Sequence, residues 1–147
     1  MISFFTQDIK FTLKNKTKVR SWLSSVAKKE GGAIEELNYI FCSDNYLLEL
    51  NKKHLNHNTL TDIITFDNSQ VSVARGPKTS HIRHLTSDIF ISIDRVTENA
   101  EKFNVSRAHE LHRVMVHGLL HLLGYKDKKP ADKAQMTGKE DFYLKRF

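Results

Sequence analysis

The segment from His117 to Asp127 constrains the fold of this 147-residue chain more than any other. Apolar or small residues recur at helical spacing through and before it, at Leu111, Val114, Met115, Gly118, Leu119 and Leu122. This spacing predicts a long amphipathic helix, with Ser106 as its N-cap. Gly124 is expected to end the helix through a left-handed backbone conformation.

Two histidines lie on this helix. His117 and His121 are four residues apart, so they project from the same face. A glycine turn at Gly124 can direct Asp127 back toward the two rings, and imidazole and carboxylate are good ligands for zinc and neighbouring metals. The pattern predicts a metal site of two histidines and one carboxylate, with an open position for water. The alternative is a buried helix with two incidental histidines, which the placement of Gly124 and Asp127 disfavours.

The residue after the first histidine separates this pattern from that of zinc proteases. In the His-Glu-x-x-His proteases a glutamate occupies that position and serves as the general base. Here the position holds Gly118. Peptide hydrolysis is therefore disfavoured, although a base could come from elsewhere in the chain.

Length and composition indicate one soluble domain over residues 1–147. The lone cysteine, Cys42, excludes an internal disulfide and fits a reducing cytosol. The first residues do not resemble a signal peptide, and no run approaches the ~18 apolar residues of a membrane span. The net charge of +6 suits a polyanionic partner such as nucleic acid, but is weak evidence alone.

The pattern of strands and helices predicts an α+β fold, in which a small mixed β-sheet of about four strands packs with about five helices. The metal site would lie at the end of the long central helix. Predicted strands cover residues 2–13, 33–42, 63–66 and 88–93, and residues 67–84 are predicted to form a polar loop. Predicted helices cover residues 16–30, a short segment after Ser43 or Asp44, a segment from Asp94, the long helix, and about 131–145.

The run from His117 to Tyr125 resembles the signature of the YbeY family of bacterial rRNA-maturation endoribonucleases. The segments 60–66 and 88–96 are similar to further family segments, and the resemblance covers roughly residues 45–127. It implies a zinc-type metal, an α+β fold and cytoplasmic action on ribosomal RNA and ribosomal subunits. The implied activity is single-strand-specific cleavage in maturation of the 3′ end of small-subunit rRNA and in ribosome quality control.

Two positions depart from the family pattern. The family signature ends Gly-Tyr-Asp-His, whereas this chain has Lys126 and Asp127 at the last two places. Asp127 therefore stands at the third-ligand position, where the extra negative charge should make a bound water less acidic and favour a harder metal. Leu55 stands where the family commonly has an arginine associated with activity, with His54 and His57 nearby.

Five further residues are candidates for the site. Glu110 is either an acceptor for a ligand histidine or a solvated acid near the helix start. Arg113 either contacts a phosphate or pairs with Glu110. Thr61 and Asp62 either line the cleft or cap a turn. Lys126 belongs to a cluster that could attract phosphate, whose other members are Lys128, Lys129 and Lys133.

These features support three hypotheses. The first is a metal-dependent endoribonuclease acting on rRNA, with one divalent metal per chain, most simply Zn²⁺, on His117, His121 and Asp127. The second is a ribosome-associated maturation factor whose metal is mainly structural. The third is a metallopeptidase-like hydrolase. The sequence identifies neither the general base nor the oligomeric state.

Overall fold

The computed structural model describes residues 1–55, 60–73 and 81–147. Its strands are β1 (Ile2–Thr6), β2 (Gly32–Cys42), β3 (Ile63–Asp67), β4 (Gln70–Val73) and β5 (His81–Ser92). Its helices are α1 (Lys16–Lys29), α2 (Asp44–Leu55), α3 (Ile93–Lys102), α4 (Arg107–Leu122) and α5 (Pro130–Leu144). No helix among the described residues is long and apolar enough to cross a membrane.

The strands form one mixed sheet in the order β1-β2-β5-β3. β1, β2 and β5 are parallel, and α1 provides the crossover from β1 to β2. β3 and β4 are both antiparallel to β5 and pair with different stretches of it. The predicted α+β fold with a mixed sheet and five helices is confirmed, and the sheet has five strands where about four were expected.

Two predicted boundaries were wrong. The first strand ends at Thr6 and not at residue 13, because its partner β2 ends at Cys42 and leaves later residues without a neighbour to pair with. Leu13 instead packs in the core. The predicted loop 67–84 contains β4 and the start of β5, which pair as antiparallel strands. The shortness of β4, which has only four residues, concealed the pairing. Gly76 and Pro77 lie outside the described residues.

Helix α4 is the central helix of the fold. The predicted stripe from Leu111 to Leu122 is buried, as expected from its spacing. Gly118 permits close contact with the sheet, because a Cβ atom there would lie 2.8 Å from Cδ1 of Ile63 and 3.4 Å from Cδ1 of Ile89. The histidine-bearing turn of α4 is thus held directly against β3 and β5.

Candidate metal centre and its cavity

Three ligand-type atoms converge at the C-terminal end of α4. Nε2 of His117 lies 3.1 Å from Nε2 of His121, and each of these nitrogens lies 3.2 Å from Oδ2 of Asp127. The two rings are nearly perpendicular, with centroids 4.6 Å apart. The structure therefore brings together all three residues that the sequence predicted as metal ligands.

The separations of these atoms suit a bound cation. A tetrahedral ion with metal–ligand distances of about 2.0–2.1 Å requires donors about 3.3 Å apart. Three lone-pair-bearing atoms at 3.1–3.2 Å repel one another unless a proton or a cation lies between them. Two imidazole nitrogens and one carboxylate oxygen are also a donor set that zinc and neighbouring divalent metals accept. The residues present fit a divalent metal.

The turn after α4 delivers Asp127 to the histidines. Gly124 has φ +105°, a conformation that favours glycine. Its N–H donates to the carbonyl of His121 at 3.0 Å, and the N–H of Tyr125 donates to the carbonyl of Leu120 at 3.1 Å. These two bonds form a Schellman motif, which satisfies the last carbonyls of the helix. The predicted glycine exit is confirmed, and it reverses the chain three residues before Asp127.

A cluster around Glu30 anchors the same turn to the rest of the protein. The hydroxyls of Tyr125 and Tyr143 donate to the Glu30 carboxylate, and Nζ of Lys139 donates to it at 3.2 Å. Burial alone would raise the pKa of Glu30, but these hydrogen bonds outweigh it and its pKa is lowered. The charged carboxylate thereby joins the end of α1 to α5 and to the turn that carries Asp127.

Glu140 is the functional candidate that the sequence reasoning missed. Its Oε2 lies 2.5 Å from Nδ1 of His117, so that Nδ1–H donates and the lone pair of Nε2 is directed to the metal position. This is the supporting role that was considered for Glu110. One signal was available: Met136, Glu140 and Tyr143 share the buried stripe of α5, which makes Glu140 an acid at an apolar position.

Arg113 pairs with two acids of α5. Its Nη1 lies 2.8 Å from Oε1 of Glu140, and its Nη2 lies 2.6 Å from Oδ1 of Asp141. The ion pair considered between Arg113 and Glu110 is replaced by these contacts. Arg113 therefore holds the carboxylate that orients His117.

An open cavity of about 320 Å³ adjoins the candidate metal centre and is lined by two of its three residues, His117 and Asp127. Arg113, Glu140, Asp62 and Glu110 line it as well. Burial raises the pKa of Asp62 and of Glu110, and neighbouring carboxylates raise both further. Acids held near a cleft with raised pKa are candidates for accepting or donating a proton.

The remaining predicted residues occupy different places. The Thr61 hydroxyl donates to the carbonyl of Ile63 at 3.2 Å, which is the turn-stabilising role considered for it. Lys126 is exposed and lines a neighbouring depression beside Glu30 and Asp132. From the predicted lysine cluster, Lys133 lines the main cavity.

The proton acceptor of a zinc protease cannot occupy its usual place here. Position 118 faces β3 and β5, where even a Cβ atom would meet Ile63 at 2.8 Å. A glutamate there would be directed into the sheet. The geometry thus agrees with the sequence in disfavouring a His-Glu-x-x-His peptidase.

Taken together, the fold and the site define an α+β protein with a candidate metal centre, partly exposed, at the end of its central helix. The family described as Endoribonuclease YbeY matches residues 1–147, and the chain belongs to that family. An endoribonuclease YbeY of Cytophaga hutchinsonii is 50% identical over 143 residues, which cover 97% of this chain and 93% of the relative. One from Flavobacterium psychrophilum is 49% identical over 147 residues, covering 100% of this chain and 96% of the relative.

A solved structure supports the same relationship. The solution structure of a protein from Thermotoga maritima matches with a TM-score of 0.62 and 26% identity. The match covers 99% of this chain and 87% of that protein. The fold is therefore shared with a known structure over nearly the whole chain.

Proposed function

We propose that residues 1–147 form a single domain that acts as a metal-dependent endoribonuclease. Its substrate would be single-stranded rRNA, in particular the 3′ end of the small-subunit RNA during maturation and quality control of ribosomes in the cytoplasm. The observation that carries the proposal is the convergence of His117, His121 and Asp127 beside an open cavity, in a chain of the YbeY family. Zn²⁺ is the simplest ion for this donor set.

The accessibility of the centre supports catalysis over a purely structural metal. Structural zinc sites are closed by four protein ligands, whereas catalytic sites keep one position open. The side chains of His117, His121 and Asp127 are 22%, 32% and 36% exposed. Two of these side chains, His117 and Asp127, line the open cavity, which leaves room beside a bound ion for water and for a phosphate group.

The contacts of the ionisable residues around the cavity suggest their roles. A divalent cation bound there would supply a Lewis acid that polarises a phosphate oxygen and makes water more acidic. Glu140 holds the proton of His117 on Nδ1, which keeps Nε2 available as a ligand. Asp62 and Glu110, with their raised pKa values, are the groups suited to move a proton.

Substrate binding would rely on the cationic side of the same cavity. Lys133 lines the cavity and is exposed, and Lys126 lies in the adjacent depression. Arg113 is already paired with Glu140 and Asp141, so we assign it to positioning and not to phosphate binding. Electrostatic attraction by these lysines would be sequence-independent and would weaken with salt.

The experiment that tests the proposal is cleavage of precursor rRNA by purified protein, with and without chelator and added metal. We expect cleavage by the wild type that is lost with chelator and in His117→Ala and His121→Ala. Asp127→Ala should lose metal, whereas Asp127→His should retain it, because histidine restores a neutral ligand at that position. Elemental analysis provides the metal content of each variant.

The alternative functions predict different results in the same assay. Binding of the protein to ribosomal subunits without any cleavage would support a maturation factor with a structural metal. Cleavage of a peptide library by the wild type would support the metallopeptidase-like hydrolase. Full metal occupancy in Asp127→Ala would contradict the assigned ligand set.

A further inference from the structure

The net positive charge of the protein is concentrated in one segment. Residues 9–29, named here the basic segment, contain seven cations and no acid. The other 126 residues contain 16 cations and 17 acids, so they are close to neutral. The cations of the basic segment are all exposed: Lys10, Lys14, Lys16, Lys18, Arg20, Lys28 and Lys29.

Three of these cations pack on aromatic rings, Lys18 on Phe147, Arg20 on Phe4 and Lys29 on Phe142, and Nε of Arg20 also donates to the carbonyl of Ile2. The charges of all seven cations are nevertheless left without a carboxylate partner among the described residues. Lys16 and Lys18 lie in the first turn of α1, which contains no acid. Cations at this end of a helix oppose its dipole and are unfavourable. Their charge is therefore available to a partner outside the chain.

A cavity adjoins the first part of the basic segment. It measures about 300 Å³ and lies between residues 11–15 and the start of α4. Phe11 and His112 give it aromatic walls, and Lys14 and Arg107 give it positive charge. Burial, helped by nearby cations, lowers the pKa of His112 to about 4, so its ring is neutral at physiological pH. Aromatic surface interleaved with cations is the combination that binds single-stranded nucleic acid.

The cavity is separate from the metal centre. Arg107 and His117 are ten residues apart on α4, which corresponds to about 15 Å along the helix axis. His112 and His117 are five residues apart, which places them about 140° apart around that axis. A short RNA bound at the metal would not reach this surface, whereas a longer RNA could extend across both.

RNA fits this surface better than a membrane does. The outward positions of α1 hold lysine, arginine, serine and threonine, and its large apolar residues Val19, Trp22, Leu23 and Val26 are buried. A helix that binds a lipid surface inserts large apolar side chains, which α1 does not offer. Lysines that contact phosphates require no such insertion.

We propose that the basic segment and the adjoining cavity form a second RNA-binding surface, which holds RNA that flanks the scissile bond. The proposal rests on the proposed function in taking RNA as the substrate. It adds a surface that increases affinity for long RNA and leaves the chemistry at the metal unchanged.

The test compares the wild type with the triple variant Lys10→Ala/Lys14→Ala/Lys16→Ala, whose side chains make no specific contact within the described residues. Anisotropy titrations use an RNA of about 40 nucleotides and one of about six, in chelator so that cleavage does not interfere. We expect at least a roughly tenfold loss of affinity for the long RNA at low salt. The slope of log K against log salt should fall by about two, at about 0.7 for each lost single-strand phosphate contact.

Two controls separate this role from general effects of charge or stability. Lys102→Ala removes one exposed cation from α3, where Glu98 and Glu101 are neighbours in the helix, and should weaken binding less than Lys16→Ala. Lys16→Ala should also raise the melting temperature, because it removes a cation from a helix N-terminus. A merely structural role for Lys16 predicts the opposite change in stability.

Several outcomes would overturn the proposal. One is a triple variant that binds the long RNA with the affinity and the salt slope of the wild type. Another is a loss of RNA affinity in Lys102→Ala that equals the loss in Lys16→Ala. The same holds if the wild type binds phosphatidylserine vesicles, loses that binding in the triple variant, and keeps its RNA affinity. Failure of the wild type to cleave any RNA contradicts the proposed function, while the binding titration still tests the second surface.

Discussion

The contact between Glu140 and His117 yields the sharpest test of the metal centre. Glu140 uses separate oxygens for its two partners: Oε2 lies 2.5 Å from Nδ1 of His117, and Oε1 lies 2.8 Å from Nη1 of Arg113. In Glu140→Gln only one of the two terminal atoms can accept a hydrogen bond. One partner therefore loses its acceptor, and the negative charge beside the imidazole is also lost.

The expected loss follows from the role of this contact. Removing a hydrogen-bond partner of a ligand histidine weakens metal binding by about 10–100-fold, which is about 1.4–2.8 kcal/mol. Breaking a buried ion pair costs about 3–5 kcal/mol of stability, but Arg113 is partly exposed and keeps Asp141. We therefore expect Glu140→Gln to lower the free energy of unfolding by only about 1–3 kcal/mol.

Competition with a chromophoric chelator measures the Zn²⁺ affinity, and urea unfolding of the metal-free protein measures stability. The matched control is Asp141→Asn, which also removes a carboxylate partner of Arg113 but has no contact with His117. It should change stability by less than about 1 kcal/mol and leave metal affinity unchanged, because Asp141 is half exposed. Unchanged affinity in Glu140→Gln, or equal weakening in both variants, would refute the assigned role.

Two further predictions concern the turn after α4 and the dependence of stability on pH. Gly124→Ala should lose about 1 kcal/mol of stability and weaken metal binding, because alanine is strained at φ +105° and the turn carries Asp127. Gly138→Ala, within α5 and with open space around the new Cβ, should instead gain up to about 1 kcal/mol, and denaturant titration compares the two. His112 has a pKa lowered to about 4 in the folded state from an ordinary 6.5, so the unfolded chain binds more protons between these values. Stability should fall by about 1–2 kcal/mol as the pH drops from 6.5 to 4, after allowance for partial exposure of the ring, and His112→Phe should flatten this slope in pH-dependent unfolding. If the free energy of unfolding of His112→Phe still fell as steeply between pH 6.5 and pH 4, groups other than His112 would be responsible for the pH dependence.

The local features of the site were predictable because they depend on short sequence separations. The helix period placed His117 and His121 on one face, and the need for a left-handed residue at the helix end identified Gly124. Asp127 is only three residues after Gly124, so the turn at Gly124 was enough to predict that its carboxylate lies beside the two histidines. Gly118 likewise disfavoured a peptidase on the sequence alone. The structure adds that a Cβ atom at this position would meet Ile63.

The residues that surround the candidate ligands could not be predicted from local sequence patterns. Glu140 is 23 residues from His117, and only the packing of α5 against α4 brings their side chains together. Strand β4 is only four residues long, too short for its alternation of polar and apolar residues to predict a strand, so it became recognisable only through its pairing with β5. The sequence predicted one phosphate-attracting cluster that included Lys126 and Lys133, yet of these two lysines only Lys133 lines the main cavity.

The sequence by itself determined the α+β class and predicted the three candidate metal ligands that the structure brings together, because helical periodicity and glycine turns act over a few residues and leave their pattern in the order of the chain. The tertiary structure alone decided which acid orients His117 and which acids line the cavity. Asp62 directly precedes β3, Glu110 lies on α4 and Glu140 lies on α5, and packing brings them together without any regular spacing along the chain. Burial then raises the pKa of Asp62 and Glu110, and burial is a property of the folded protein that no local pattern encodes.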